Sequence, residues 1–242
     1  MRAVILAAGR GTRMGALTEN TPKPMIPING KPVIEYVMRR MMAGGVTDFV
    51  LVTKYLAHKI VEYFGDGSAL GAPVEYVEQT DKYGTGAALL AARELSRGEP
   101  VMMAFADVIV ETHIYANAIR IFNETGGAGV VTLNWVDDPC HGGAVLVDDQ
   151  NKITGVIEKP PKGQIPSNWN SAGIFAFAPV IFDYLERLTP SARGEYELPD
   201  AMNAMIADGL QLYPSYLDGQ WLDVGTIEAV AEAERLLAGD GE

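Results

Sequence analysis

The chain has 242 residues, 48% of them hydrophobic, with a formal net charge of -12 and a single cysteine. That length and apolar fraction suit one globular domain with a sizeable core. The acidic balance argues against nucleic acid or an anionic membrane as partner, and a lone Cys140 excludes an intrachain disulfide framework.

Arg2-Ala3-Val4-Ile5-Leu6-Ala7-Ala8 is an apolar run too short for a typical helix, and it predicts a buried strand. Only Arg2 precedes its apolar residues and no cleavage-site context follows, so it reads as a strand rather than a secretory signal. No stretch approaches the roughly 20 apolar residues that span a bilayer. With a lone thiol, a cytoplasmic protein is expected. The run ends in Gly9-Arg10-Gly11-Thr12-Arg13, where two glycines let backbone N–H groups approach a ligand. Pro22-Lys23-Pro24 then places a lysine between two stiffening prolines. A strand, a glycine turn and cations describe a phosphate site. The turn is not the dinucleotide fingerprint, because Met14 stands where the third glycine belongs, nor a Walker A loop, because no Gly-Lys-Ser/Thr follows.

Val33 to Met42 has apolar residues at helical spacing and stops at Gly44-Gly45. Its methionines Met38, Met41 and Met42 read as core packing. A second strand is predicted at 49–53, a helix at 56–64, a third strand at 74–77, a helix at 86–95 and a fourth strand at 101–105. Next come a helix at 114–122, a strand at 129–135, and a hairpin from 145–147 and 153–158 around Asp148-Asp149-Gln150-Asn151. Lys159 to Ser171 is a Pro/Gly/Asn/Ser-rich loop. A strand at 172–177, helices at 180–188 and 198–208, a strand at 210–213 and a helix from about 227 to 237 complete the chain. Strands alternating with helices imply an α/β fold with a mainly parallel sheet covered on both faces, and the hairpin adds a small β part.

The run Leu6-Ala7-Ala8-Gly9-x-Gly11-Thr12-Arg13-Met14 through Pro22-Lys23-Pro24-Met25-x-Pro27 resembles the N-terminal signature of the sugar-1-phosphate nucleotidylyltransferases. Ala16 departs from it, since the family usually has proline there. The resemblance implies a Rossmann-like three-layer α/β/α nucleotidyltransferase domain over residues 1–242, with 1–135 mainly the nucleotide half and 136–242 mainly the sugar-phosphate half. No short-period repeat follows Leu237, so the β-helix extension of some relatives is not expected.

The resemblance also implies roles. Leu6, Ala8, Gly9, Gly11 and Thr12 would meet the nucleotide, Arg13 would grip the β/γ-phosphates with its fork of donors, and Lys23 would reach the α-phosphate. Gln79, Gly84 and Thr85 would hold the base: a glutamine amide matches the donor–acceptor edge of uracil or thymine, whereas guanylyl-type relatives more often show an acidic residue. Asp107 and Asp223, each ending an apolar run, would share a Mg²⁺ ion with the phosphates; Ala106 stands where relatives usually carry glycine. Gly143, Glu158, Lys159, Asn170 and Gly173 would take the sugar phosphate. His58, His113 and His141 show no ligand spacing and are expected at the surface, and Cys140 beside His141 is not a catalytic pair.

The expected activity is in-line transfer of a nucleotidyl group from dTTP or UTP to glucose 1-phosphate, releasing pyrophosphate by positioning and cationic stabilisation. Mannose-1-phosphate guanylyltransferase and amino-sugar-1-phosphate uridylyltransferase activities are the alternatives within the family, and a non-catalytic nucleotide-sugar-binding subunit is the alternative outside it. Relatives are commonly dimers or tetramers, so a homo-oligomer is expected.

Overall fold

A computed structural model describes residues 1–164 and 166–238. The strands are β1 (Arg2–Leu6), β2 (Pro27–Ile28), β3 (Lys31–Pro32), β4 (Phe49–Thr53), β5 (Val74–Glu78), β6 (Val101–Phe105) and β7 (Val108–Val110), then β8 (Gly129–Trp135), β9 (Gly143–Val147), β10 (Ile153–Glu158), β11 (Trp169–Phe177), β12 (Leu212–Tyr216) and β13 (Trp221–Asp223). The helices are α1 (Val33–Ala43), α2 (Ala57–Phe64), α3 (Thr85–Ala91), α4 (Thr112–Thr125), α5 (Ile181–Glu186), α6 (Leu198–Ala207) and α7 (Ile227–Leu236).

Nine strands form one sheet in the order β5-β4-β1-β6-β11-β8-β12-β10-β9. The β5-β4-β1-β6 part is parallel throughout, as βαβ crossovers require. β11 enters antiparallel between β6 and β8, and β12 lies parallel on the far side of β8. The sheet is therefore mixed, its continuous four-stranded parallel part lying in the first half of the chain and β8–β12 adding a further parallel pair. The same insertion means that residues 1–135 and 136–242 share one sheet. The expected hairpin is β9 paired antiparallel with β10. Its turn is closed by the Asp148 carboxylate, which accepts from the Gln150 and Lys152 N–H groups at 2.9 Å each, with Asn151 left-handed at φ 59°.

Alternation along the strands divides the apolar residues between two faces. Ala3 and Ile5 of β1 pack with Met102 and Ala104 of β6 against Val37, Met38 and Met41 of α1 and Ile114, Tyr115 and Ala118 of α4. Val4, Val101 and Met103 face the other way, toward Leu89 of α3, Phe182 and Leu185 of α5, and Met202 and Met205 of α6. Helices thus cover both faces, giving three layers. Met38 and Met41 are fully buried, as core methionines should be.

Three features escape pattern reading because they are short. Thr12–Thr18 and Lys23–Met25 form 3₁₀ turns where a loop is expected. β7 and β13 pair antiparallel as a separate ladder of three residues each, and β2 pairs with β3. Among the described residues no helix is long and apolar enough to cross a membrane.

Candidate active site

The C-terminal ends of β1, β5 and β6 open into a cavity of about 610 Å³, the place where open α/β sheets collect ligands. Its wall includes Leu6, Ala8, Gly9, Arg13, Gln79, Gly84, Thr85, Asp107, Asp223, Gly143, Glu158, Lys159, Asn170 and Gly173. Residues spread over the whole chain thus meet around one space. Gly11, Thr12 and Lys23 lie outside that wall.

The phosphate turn divides its glycines between two jobs. A Cβ on Gly9 would meet nothing within 4 Å, so its backbone stands open. Gly11 is left-handed at φ 68°, and a Cβ there would come within 2.8 Å of Lys23 Cβ. Gly11 therefore makes room for the lysine stem rather than for a ligand. The Thr18 hydroxyl donates to the Gly11 carbonyl at 3.0 Å and fixes the turn. Arg10 lies over the Tyr55 ring, its guanidinium carbon 5.1 Å from the centroid.

Gln79 follows β5 and is 6% exposed. Its amide nitrogen donates to the Lys82 carbonyl at 3.1 Å and to that of Gly84 at 3.3 Å. Both amide hydrogens are thus used within the loop, and the amide oxygen is the atom left for a ligand. This differs from the expected donor–acceptor pair on one side chain. Gly84 also has a different cause from the expected one. Its φ of 126° and ψ of 163° fall in a region that only glycine occupies without strain, and the backbone of Tyr196 fills the space of a Cβ. The Tyr196 N–H donates to the Tyr83 carbonyl at 2.8 Å, and the Gly86 N–H to the Tyr196 carbonyl at 2.9 Å. The Thr85 hydroxyl accepts from the Leu198 N–H at 3.1 Å, tying the start of α3 to the start of α6.

Asp107 follows β6 and Asp223 ends β13. They are neighbours because β13 pairs with β7: Asp223 lies opposite Val108, and the Val224 N–H donates to the Asp107 carbonyl at 2.9 Å. Lys23 Nζ donates to Asp107 Oδ2 and lies 3.9 Å from Asp223 Oδ1. Burial and the nearby Asp107 push the Asp223 carboxyl above its usual range, while Lys23 and Arg13 oppose the shift. A pair of neighbouring carboxylates suits Mg²⁺, which is commonly held by one or two carboxylates plus substrate phosphates. No group of three or more His, Cys, Asp or Glu side chains forms an all-protein metal cage among the described residues. A metal here needs its other ligands from substrate and water.

Part of the cavity wall is built on the β9–β10 hairpin. Gly143 lies opposite Glu158 in the ladder, and the Lys159 N–H donates to the Gly142 carbonyl at 2.8 Å. Lys159 is left-handed at φ 46°, a conformation rare for a side chain of its length. Burial pushes the Glu158 carboxyl above its usual range, against the pull of Lys159 and Arg193. Arg193 was not foreseen. It lies 3.6 Å from Glu158, 3.3 Å from Glu195 and 3.2 Å from the buried Glu197. Its local signal is a charged run, Arg193-Gly194-Glu195-Tyr196-Glu197, which reads as solvated surface because its partner Glu158 is remote in sequence.

Asn170 lines the cavity, but its amide nitrogen donates to Asn134 Oδ1 at 3.1 Å and to the Ser171 carbonyl at 2.9 Å. Its hydrogens are spent inside the sheet. Gly173, at φ 83°, lies against the Phe105 ring, which a Cβ would approach to 2.6 Å. Asp138, His141, Glu195 and Trp221 also line the wall and were not foreseen as part of it. His58, His113 and His141 are all exposed, His141 at the cavity margin.

The chain is 38% identical over 229 residues to the bifunctional protein GlmU of Methanococcus maripaludis, covering 93% of this chain and 51% of that protein. It spans about half the length of the GlmU proteins it matches. The UTP–glucose-1-phosphate uridylyltransferase AglF of Haloferax volcanii is 33% identical over 239 residues, covering 98% of this chain and 96% of AglF. A solved Bacillus anthracis structure, described as a candidate glucose-1-phosphate thymidylyltransferase in complex with sucrose, superposes with a TM-score of 0.89 at 28% identity, covering 99% and 96% of the two chains. Residues 2–239 match the nucleotidyl transferase family, to which this chain therefore belongs.

Proposed function

We infer that this protein joins a nucleoside triphosphate to a sugar 1-phosphate, forming a nucleoside-diphosphate sugar and pyrophosphate, with UTP or dTTP and glucose 1-phosphate as the leading pair. One observation carries the reading: a single cavity is lined by Gly9, whose backbone stands open, with Arg13, Gln79, the Asp107–Asp223 pair, Glu158 and Lys159. The names of AglF and of the Bacillus anthracis relative support the same substrates.

In this reaction a phosphate oxygen of the sugar 1-phosphate attacks the α-phosphorus. The bond from that phosphorus to the α–β bridging oxygen breaks, and pyrophosphate leaves with the electron pair. Both reactants are anions, so the protein's task is alignment and charge neutralisation. Arg13 holds the leaving phosphates, and Lys23, on a flexible stem, follows the charge that builds at the α-phosphate. Lys159 holds the sugar phosphate, and Glu158 accepts from sugar hydroxyls. Asp107 and Asp223 would hold Mg²⁺. Bound there, the ion would neutralise phosphate charge.

Gln79 supports a pyrimidine base bearing an N3–H, because its free amide oxygen is an acceptor fixed by two donor bonds. The deciding experiment measures pyrophosphate release for ATP, CTP, GTP, UTP and dTTP against several sugar 1-phosphates. UTP or dTTP with glucose 1-phosphate should give the highest kcat/KM. Lys23→Ala should lower kcat by roughly 10²–10³, the scale of losing one charged transition-state contact. Equal inactivity of wild type and variant with every pair would leave a non-catalytic binder.

A further inference from the structure

Lys23 differs from the other cations of the site. Arg13 and Lys159 line the cavity, whereas Lys23 stands outside its wall with a side chain only 12% exposed. Its stem is seated against Gly11, and a Cβ on Gly225 would lie 3.6 Å from its ammonium. From that seat the ammonium donates to Asp107 and lies 3.9 Å from Asp223. It thus occupies the electrostatic role that a metal would otherwise fill: a positive charge shared between two carboxylates.

We propose that Lys23 is the resident counter-ion of the Asp107–Asp223 pair, keeping divalent cations off these carboxylates until a triphosphate draws the ammonium away. A dication entering the nucleotide-free protein must approach a fixed positive charge and compete for an Asp107 oxygen that already accepts from it. An arriving triphosphate changes both terms. It offers the ammonium a new anionic partner, and a lysine head on a four-carbon stem can move to it. The carboxylates so released then face a phosphate-bound metal. The consequence is an order of events: metal enters with or after the nucleotide. This rests on the reading of the cavity as a triphosphate site, but its test does not use the reaction.

The test is Mn²⁺ binding without nucleotide, read from the free-ion electron paramagnetic resonance signal, in wild type, Lys23→Met and Lys23→Arg. Lys23→Met should bind Mn²⁺ at least fivefold more tightly than wild type, and Lys23→Arg, which keeps the charge, should gain less. Adding Asp107→Asn to Lys23→Met should abolish the gain. A gain below fivefold, an equal gain in Lys23→Arg, or a gain that survives Asp107→Asn overturns the proposal. If circular dichroism shows that Lys23→Met does not fold, Lys23→Gln takes its place under the same criteria. A wild type that releases pyrophosphate while Lys23→Met gains nothing defeats this proposal alone. A gain in Lys23→Met beside a wild type that turns over no substrate pair defeats the enzymatic reading instead.

Discussion

Gln79 and Gly84 show how one loop of the site is held by donors and by an absence. Gln79→Glu replaces two donated bonds to carbonyls with a carboxylate facing the same carbonyls. It should weaken UTP or dTTP use by about 1–3 kcal/mol in kcat/KM, the cost of unpaired buried polar groups; unchanged selectivity would remove Gln79 from the base site. Gly84→Ala forces a side chain into a glycine-only conformation and against the Tyr196 backbone. Urea titration should show a loss of about 1–3 kcal/mol in unfolding free energy. Glu158 makes a pH prediction. Its folded-state pKa lies above the ordinary glutamate value, so the stability it contributes is present below the unfolded value and lost as pH rises through the folded one. The melting temperature of Glu158→Gln relative to wild type should therefore climb as pH increases from about 4 toward neutrality. A flat difference would mean that burial does not perturb this carboxyl.

The elements are where the sequence speaks most plainly and also where it stops. β4, β6, β8 and β10 fall at the residues their apolar runs predict, because a buried strand needs only a short run of Val, Ile, Leu or Met. β7 and β13 carry the same kinds of residue in runs of three, too short to separate from loop. Their pairing is what sets Asp107 beside Asp223, so the resemblance named both acids while periodicity could not explain their meeting. Arg193 and Asn134 are invisible for a related reason: each acquires its partner only after remote segments pack. α7, which follows β13, is capped by the Thr226 hydroxyl accepting from the Ala229 N–H at 3.2 Å. Thr226→Ala should cost about 1 kcal/mol in unfolding free energy. A loss under a few tenths would show that tertiary packing alone holds this helix end.

Across the whole molecule, β11 decides cooperativity. It comes from the second half of the chain, yet it bonds to β6 and β8 of the first half. Neither half can release its strands without breaking a ladder in the other. Urea unfolding followed by far-ultraviolet circular dichroism and by tryptophan fluorescence should give coincident transitions. The three tryptophans, Trp135, Trp169 and Trp221, stand on β8, β11 and β13, so separated midpoints would reveal independently melting halves. The short ladder beside that sheet has a consequence in time. Asp107 emerges 116 residues before Asp223 (223 minus 107) and well before the strand that carries Asp223. A nascent polypeptide can therefore settle much of its scaffold while its acidic couple is incomplete, and competence waits until β13 has joined β7.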